Sequence, residues 1–199
     1  MSGPRRGGHN FVDKEAKNNI WITPEEALVP VRRYAPIGLD PCTEALNPTG
    51  AAHFFTEKDD GLTRPWDGYG LVYVNPPYSL TEAEKARKAT PPMRIWVAKI
   101  HAEAVRGVTI IALLPCGARY STEYFQDHAL CHEMCGVCFP RGRIPFINGK
   151  TGKPGKGNNY DSQFIGYNVE RARFGAAFRD VGATLLTTRY RVGALDGFI

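Results

Sequence analysis

The run Leu71-Val72-Tyr73-Val74, halted at once by Asn75-Pro76-Pro77-Tyr78, constrains the fold more than any other stretch. Four apolar residues in succession read as a buried strand, and the tetrapeptide stands where that strand must stop. Proline after Asn75 pushes this residue towards an extended backbone. Two successive prolines, Pro76 and Pro77, fix φ and supply carbonyls without competing N–H donors. The expected result is a stiff corner at the C-terminal end of a strand, the place where open α/β sheets bind ligands. It presents an amide side chain, a backbone carbonyl and an aromatic ring in fixed directions.

Such a corner suits a planar exocyclic amine. The nitrogen lone pair of an adenine amino group is delocalised into the ring and is a poor nucleophile. Asn75 Oδ1 and the Pro76 carbonyl could accept its two N–H bonds. They would favour a pyramidal nitrogen and stabilise the positive charge that develops on it, a form of electrostatic preorganisation. Tyr78 could stack on a base taken out of its helix. The competing explanation is a Pro-Pro turn after a strand, common in any protein.

More of the chain fits the first reading. Trp21-Ile22-Thr23-Pro24, Leu39-Asp40-Pro41-Cys42, Asp59-Asp60-Gly61-Leu62, Trp66, Asn75-Pro76-Pro77-Tyr78-Ser79 and Arg141-Gly142-Arg143-Ile144-Pro145-Phe146 occur in that order. The ordered set resembles the phage DNA N6-adenine methyltransferases, the Dam-like enzymes of bacteriophages and prophages, over about residues 19 to 168. The resemblance implies a single-domain α/β fold of the Rossmann-like S-adenosylmethionine-dependent type, with a mostly parallel sheet and an antiparallel edge hairpin. It implies S-adenosylmethionine as cofactor and adenine N6 in DNA as acceptor. It makes Asn75, Pro76, Pro77 and Tyr78 the catalytic corner. Cofactor binding falls to Trp21, Thr23, Pro24, Asp40, Pro41, Cys42, Asp60 and Asn75, and Phe146 becomes a second aromatic for the base. A sulfonium donor is already activated, so no metal is expected.

The totals allow this. A chain of 199 residues is one domain by length and can bury a core. Apolar residues make up 43% and charged residues 23%, as in an ordinary globular protein. No apolar run reaches membrane-spanning length and no signal-peptide core stands at the N-terminus, which makes the cytoplasm the expected location. The net charge of +5 favours a polyanionic partner such as DNA. The expected assembly is a monomer or weak homodimer. Five cysteines, an odd count without a secretion signal, argue against a disulfide framework.

Taken in order, residues 1–18 read as a mobile basic tail, followed by one catalytic domain over 19–199. Thr23 is expected to cap a helix running to about Tyr34, with Pro24 at its first position. Strands are expected at 37–40 and 51–56. Asp40 ends the first of these, where it can meet the cofactor or cap the next segment; Thr43-Glu44-Ala45-Leu46-Asn47 stands in place of the usual glycine loop. Asp60, Glu57 and Asp59 are candidate ribose contacts, with a charged surface turn as the alternative. Trp66 and Trp96 read as core. Residues 80–92 read as a mobile loop over the substrate, 93–105 as a helix, 108–114 as the central strand and 122–130 as a helix. Pro115-Cys116 also occurs in cytosine C5 methyltransferases, but the amine needs no thiolate.

His128, Cys131, His132, Cys135 and Cys138 can be read as zinc ligands or as packed core residues; the second reading is adopted here. A strand is expected over 139–147. Arg141, Arg143, Lys150, Lys153 and Lys156, the lysines in a glycine-rich loop, are candidate DNA-backbone contacts. A strand over 162–168, a helix over 169–179 and a strand over 184–190 complete the expected sheet. N4-cytosine, RNA and protein-glutamine methyltransferases share the corner. A basic nucleic-acid-binding protein without cofactor is the alternative from another class.

Overall fold

A computed structural model of the chain describes residues 21–78, 92–117, 120–131, 133–155 and 161–187. The expected basic tail, the 80–92 loop up to residue 91, His132, Lys156 and residues 188–190 of the last expected strand lie outside the described residues.

Seven strands form one sheet in the order β3-β2-β4-β5-β8-β6-β9. They are β2 (Ile37–Asp40), β3 (His53–Phe54), β4 (Leu71–Val74), β5 (Ile110–Pro115), β6 (Met134–Pro140), β8 (Ser162–Tyr167) and β9 (Gly182–Leu186). The central run is β-branched and apolar because both of its faces are covered. Residues of β4 and β5 alternate between two cores. Tyr73, Ile111 and Leu113 pack beneath helices α1 (Glu25–Tyr34) and α3 (Arg171–Phe178). Val72, Val74, Ile110, Ala112 and Leu114 pack beneath α2 (Pro92–Val105) and a π-helical turn at Phe125–Ala129. The result is an α/β arrangement with helices on both faces of a mixed sheet, compatible with a methyltransferase fold.

Three expectations change. First, the sheet is less parallel than expected: β2/β3, β2/β4 and β4/β5 are parallel, while β5/β8, β6/β8 and β6/β9 are antiparallel. β8 inserts between β5 and β6, so the antiparallel strands β8, β6 and β9 fill one end of the sheet. Second, the strand expected over 139–147 begins earlier and ends at Pro140. Pro140 and Pro145 cannot donate to a ladder, and Gly142 turns the chain at φ 86°. The chain then enters a separate two-stranded ribbon, in which β7 (Ile147–Asn148) pairs antiparallel with β1 (Trp21–Ile22). Third, Thr23 does not cap α1. Pro24 takes the cap position in extended conformation without a side-chain hydrogen bond, because the Thr23 hydroxyl is engaged elsewhere.

Smaller shifts follow from local chemistry. The strand expected over 51–56 is reduced to His53–Phe54, both exposed at the sheet edge. Within 122–130, the Leu130 amide donates to the Phe125 carbonyl at 3.0 Å, a π-type bond rather than an α-type one. The final strand starts at Gly182, where a side chain would collide with the Phe139 carbonyl. Trp66 and Trp96 are core residues, with ring centroids 6.2 Å apart. Among the described residues no helix is long and apolar enough to cross a membrane.

Candidate active site

The C-terminal ends of β2, β4 and β5 lie along one edge of the sheet, so Asp40, Asn75 and Pro115 are brought to the same side. β8 runs the opposite way, which places Ser162 beside Pro115 at this edge. The β1–β7 ribbon adds residues from both ends of the fold. It positions Thr23 next to the corner and leaves Phe146 one residue before β7.

Asn75 is oriented by a chain of hydrogen bonds. Its Nδ2 donates to Thr23 Oγ1 at 3.1 Å. Thr23 Oγ1 in turn shares a hydrogen bond of 2.9 Å with the Tyr73 hydroxyl. Both Thr23 and Tyr73 are buried. The Cys42 thiol donates to the Asn75 carbonyl at 3.5 Å. Asn75 Oδ1 is buried and has no hydrogen-bond partner among the described residues. An amide with its nitrogen fixed and its oxygen unpaired is a held acceptor, and an unpaired buried carbonyl carries a desolvation cost of about 1–3 kcal/mol.

Tyr78 and Phe146 meet edge to face, with ring centroids 6.3 Å apart at 80°. The Tyr78 hydroxyl donates to the Leu113 carbonyl at 3.2 Å, which anchors the ring on β5. Pro76 is buried and Pro77 half-buried, as a rigid corner requires.

Asp40 is almost fully buried at the end of β2. Its Oδ1 accepts from the Cys42 amide at 3.1 Å and its Oδ2 accepts from Thr49 Oγ1 at 2.9 Å. These bonds shape the Pro41-Cys42 turn from within. Burial raises the Asp40 carboxyl to about 6, against the opposing effect of its hydrogen bonds. Burial likewise pushes up the Cys42 thiol and the phenols of Tyr73 and Tyr78, so these groups stay neutral at neutral pH.

Asp60 is exposed in a left-handed turn at φ 51°, and its Oδ1 accepts from the Leu62 amide at 3.3 Å. The next residue, Gly61, touches Pro41: a Cβ there would lie 1.9 Å from the Pro41 carbonyl oxygen. This contact carries the Asp60 turn to the Asp40 turn. Asp59 is committed locally, accepting from the Thr56 amide and hydroxyl. Those bonds hold its carboxyl below the usual range.

Trp21 is partly exposed and its ring lies against Gly155, where a Cβ would come within 2.7 Å. Arg141, Lys150 and Lys153 are exposed on the segment that carries Phe146 and β7. Arg143 is exposed too, but its Nε donates to Asp161 at 3.1 Å. Cys135 and Cys138 are buried in the core. Cys116 lies in a polar cluster, its sulfur 2.7 Å from the Tyr120 hydroxyl. Two features escaped the sequence reading: the support of Asn75 by Thr23 and Tyr73, and the docking of Cys42 on the Asn75 carbonyl. Both depend on pairings between distant segments, and only the order of the motifs hinted at them.

Similarity to known proteins agrees with this geometry. A model of the DNA N-6-adenine-methyltransferase (Dam) family matches residues 12–171. A DNA N-6-adenine-methyltransferase of Escherichia phage T1 is 30% identical over 174 residues, covering 81% of this chain and 67% of that protein. One from Haemophilus phage HP1 is 28% identical over 154 residues, covering 76% of this chain and 80% of that protein. With residues 12–171 of its 199 matched by the family model, the chain belongs to the DNA N-6-adenine-methyltransferase (Dam) family.

Proposed function

We propose that this protein methylates the N6 amino group of adenine in DNA, using S-adenosylmethionine, on a single-domain Rossmann-like methyltransferase fold. The observation that carries the reading is the buried, unpaired Asn75 Oδ1 at the end of β4. Among the described residues no donor reaches it, and an exocyclic amine supplies one.

The residues present fit the cofactor. The turns after β2 and β3 meet through Gly61 and Pro41 beside the corner, and the Asp60 carboxylate is exposed to reach a ribose hydroxyl. Asp40 holds the Pro41-Cys42 turn in shape, and Trp21, Thr23 and Pro24 are assigned to the cofactor on the β1 side. The bound cofactor supplies a methyl group on a positively charged sulfur. Asn75 Oδ1 and the Pro76 carbonyl would accept hydrogen bonds from the two amine N–H groups and so direct the nitrogen lone pair towards that methyl. Tyr78 and Phe146 hold the base plane. As the methyl moved from sulfur to nitrogen, the two oxygens would stabilise the positive charge developing on the nitrogen until its extra proton left to water. The buried neutral phenols and thiol around the corner provide no general base, and the chemistry requires none.

Arg141, Arg143, Lys150 and Lys153 flank Phe146 and are assigned to the DNA backbone. Lysines and arginines placed there would bind without base preference and with strong salt dependence. Calorimetry with S-adenosylmethionine, paired with single-turnover transfer to adenine-containing DNA, tests the assignment. Asn75→Ala is expected, at saturating cofactor, to lose transfer by about 100-fold or more, the scale seen for one preorganised electrostatic contact. Full transfer activity in that variant would overturn the role of Asn75; absence of cofactor binding in the native protein would favour a nucleic-acid-binding module instead.

A further inference from the structure

A second cluster stands at the other end of the sheet. Met134, at the start of β6, and Ile110, at the start of β5, both pair with Tyr167, so the chain entering β6 lies at the end remote from Asn75. There His101 from α2, His128 from the π-helical turn, and Cys131 and Glu133 from the approach to β6 converge. His101, Cys131 and Glu133 each offer a ligand atom, and these atoms lie within 4.8 Å of one another.

Two further observations point to an absent partner. Glu133 Oε2 is buried and has no hydrogen-bond partner among the described residues. His101 Nε2, at 3.9 Å, faces it from beyond hydrogen-bond range. Meanwhile His101 Nδ1 lies 2.9 Å from His128 Nδ1. A hydrogen bond there occupies one nitrogen of His101 and leaves Nε2 free towards Glu133. Histidines that bind metals are oriented in just this manner, by a partner on the other ring nitrogen. The backbone is held as well: the Glu133 carbonyl accepts from the Asn168 amide at 3.0 Å, and Asn168 Nδ2 donates to the Ala104 carbonyl at 2.7 Å.

We propose that His101 Nε2, Cys131 Sγ and Glu133 Oε2 bind a divalent cation of the zinc class, with water as fourth ligand and His128 holding the His101 ring. Nitrogen, thiolate and carboxylate are the donors that zinc takes, and tetrahedral ligands at zinc bond lengths stand about 3.3–3.8 Å apart. The three atoms, within 4.8 Å of one another, would close to that range around the ion. The ligand set differs from the one the sequence suggested. Cys135 and Cys138 are packed in the core, and His101, thirty residues upstream of Cys131, joins only through the fold. The site is separate from methyl transfer; it ties α2 and the π-helical turn to the entry of β6.

The test uses the full chain, stripped with a chelator and titrated with Co²⁺ and Zn²⁺. One equivalent of Co²⁺ is expected to bind with a thiolate-to-metal charge-transfer band, and one equivalent of Zn²⁺ to displace it and raise the melting temperature. Cys131→Ser should lose the band, whereas Cys116→Ser should keep it. Glu133→Gln, which keeps shape and removes charge, and His128→Ala should each weaken Co²⁺ by about 10- to 100-fold. A native protein that shows no thiolate band, or a band that survives Cys131→Ser, would overturn the site. Neither readout depends on cofactor or DNA, so the outcome stands apart from that of the proposed methylation.

Discussion

Thr23 ties the Asn75 amide to the Tyr73 phenol, and its hydroxyl is the joint between them. Replacing Thr23 with valine keeps the shape and removes the joint. Two buried polar groups then lose a partner, which costs about 1–3 kcal/mol of stability. The freed amide can rotate, and misplacement on the scale of 1 Å lowers rates by about 100-fold. Thr23→Val is therefore expected to reduce kcat by about 10- to 100-fold in single turnover at saturating cofactor. An unchanged kcat in a variant that melts lower would make Thr23 structural only. Asp40 supports a prediction in pH. Its folded carboxyl stands at about 6 against an ordinary 3.8. A fold that binds the proton more tightly than the unfolded chain is favoured at low pH. The contribution is fully present below about pH 4 and is lost as pH rises through about 6, on the order of 3 kcal/mol in all. Denaturant unfolding of the native protein and Asp40→Asn should thus show a stability difference that moves against the native protein between about pH 4.5 and 7.5; movement in its favour would contradict the burial argument.

At the scale of elements, the segment between β6 and β8 carries the basic residues, Phe146 and β7 together. If Lys150 and Lys153 contact phosphates, the double variant Lys150→Ala/Lys153→Ala should weaken DNA binding uniformly across sequences. The slope of log affinity against log salt should fall by about 2, one unit for each contact. An unchanged slope would make them solvated loop charges. The same segment shows what sequence could and could not reveal. β2, β4, α2 and β8 were legible nearly to the residue, because continuous apolar runs and helical spacing are local signals. The β1–β7 ribbon was not, since two-residue strands carry no periodicity. Thr23 read as a helix cap because Ser or Thr before Pro-Glu-Glu is a local signature; its buried partner Tyr73 is a tertiary fact that overrode it. The corner at Asn75 was legible because prolines fix backbone whatever surrounds them.

At the scale of the whole molecule, two cores on either face of one sheet keep the strand ends fixed relative to each other. Phe174 and Phe178 stack at 4.5 Å in the core under α1 and α3, remote in sequence from every site residue. Phe174→Ala is expected to cost about 3–5 kcal/mol in urea unfolding and to leave the methylated product unchanged below the melting transition. A changed product would tie base choice to that core. The order of β8 between β5 and β6 was the least legible feature, because strand order depends on which edges remain free after the parallel half has formed. The central claim concerns the partner of Asn75 Oδ1, and the most direct measurement is nucleoside analysis of unmethylated DNA digested after incubation with the protein and labelled S-adenosylmethionine. The account predicts label in N6-methyladenine and its loss in Asn75→Ala. Label in N4-methylcytosine, or N6-methyladenine undiminished in the variant, would contradict it.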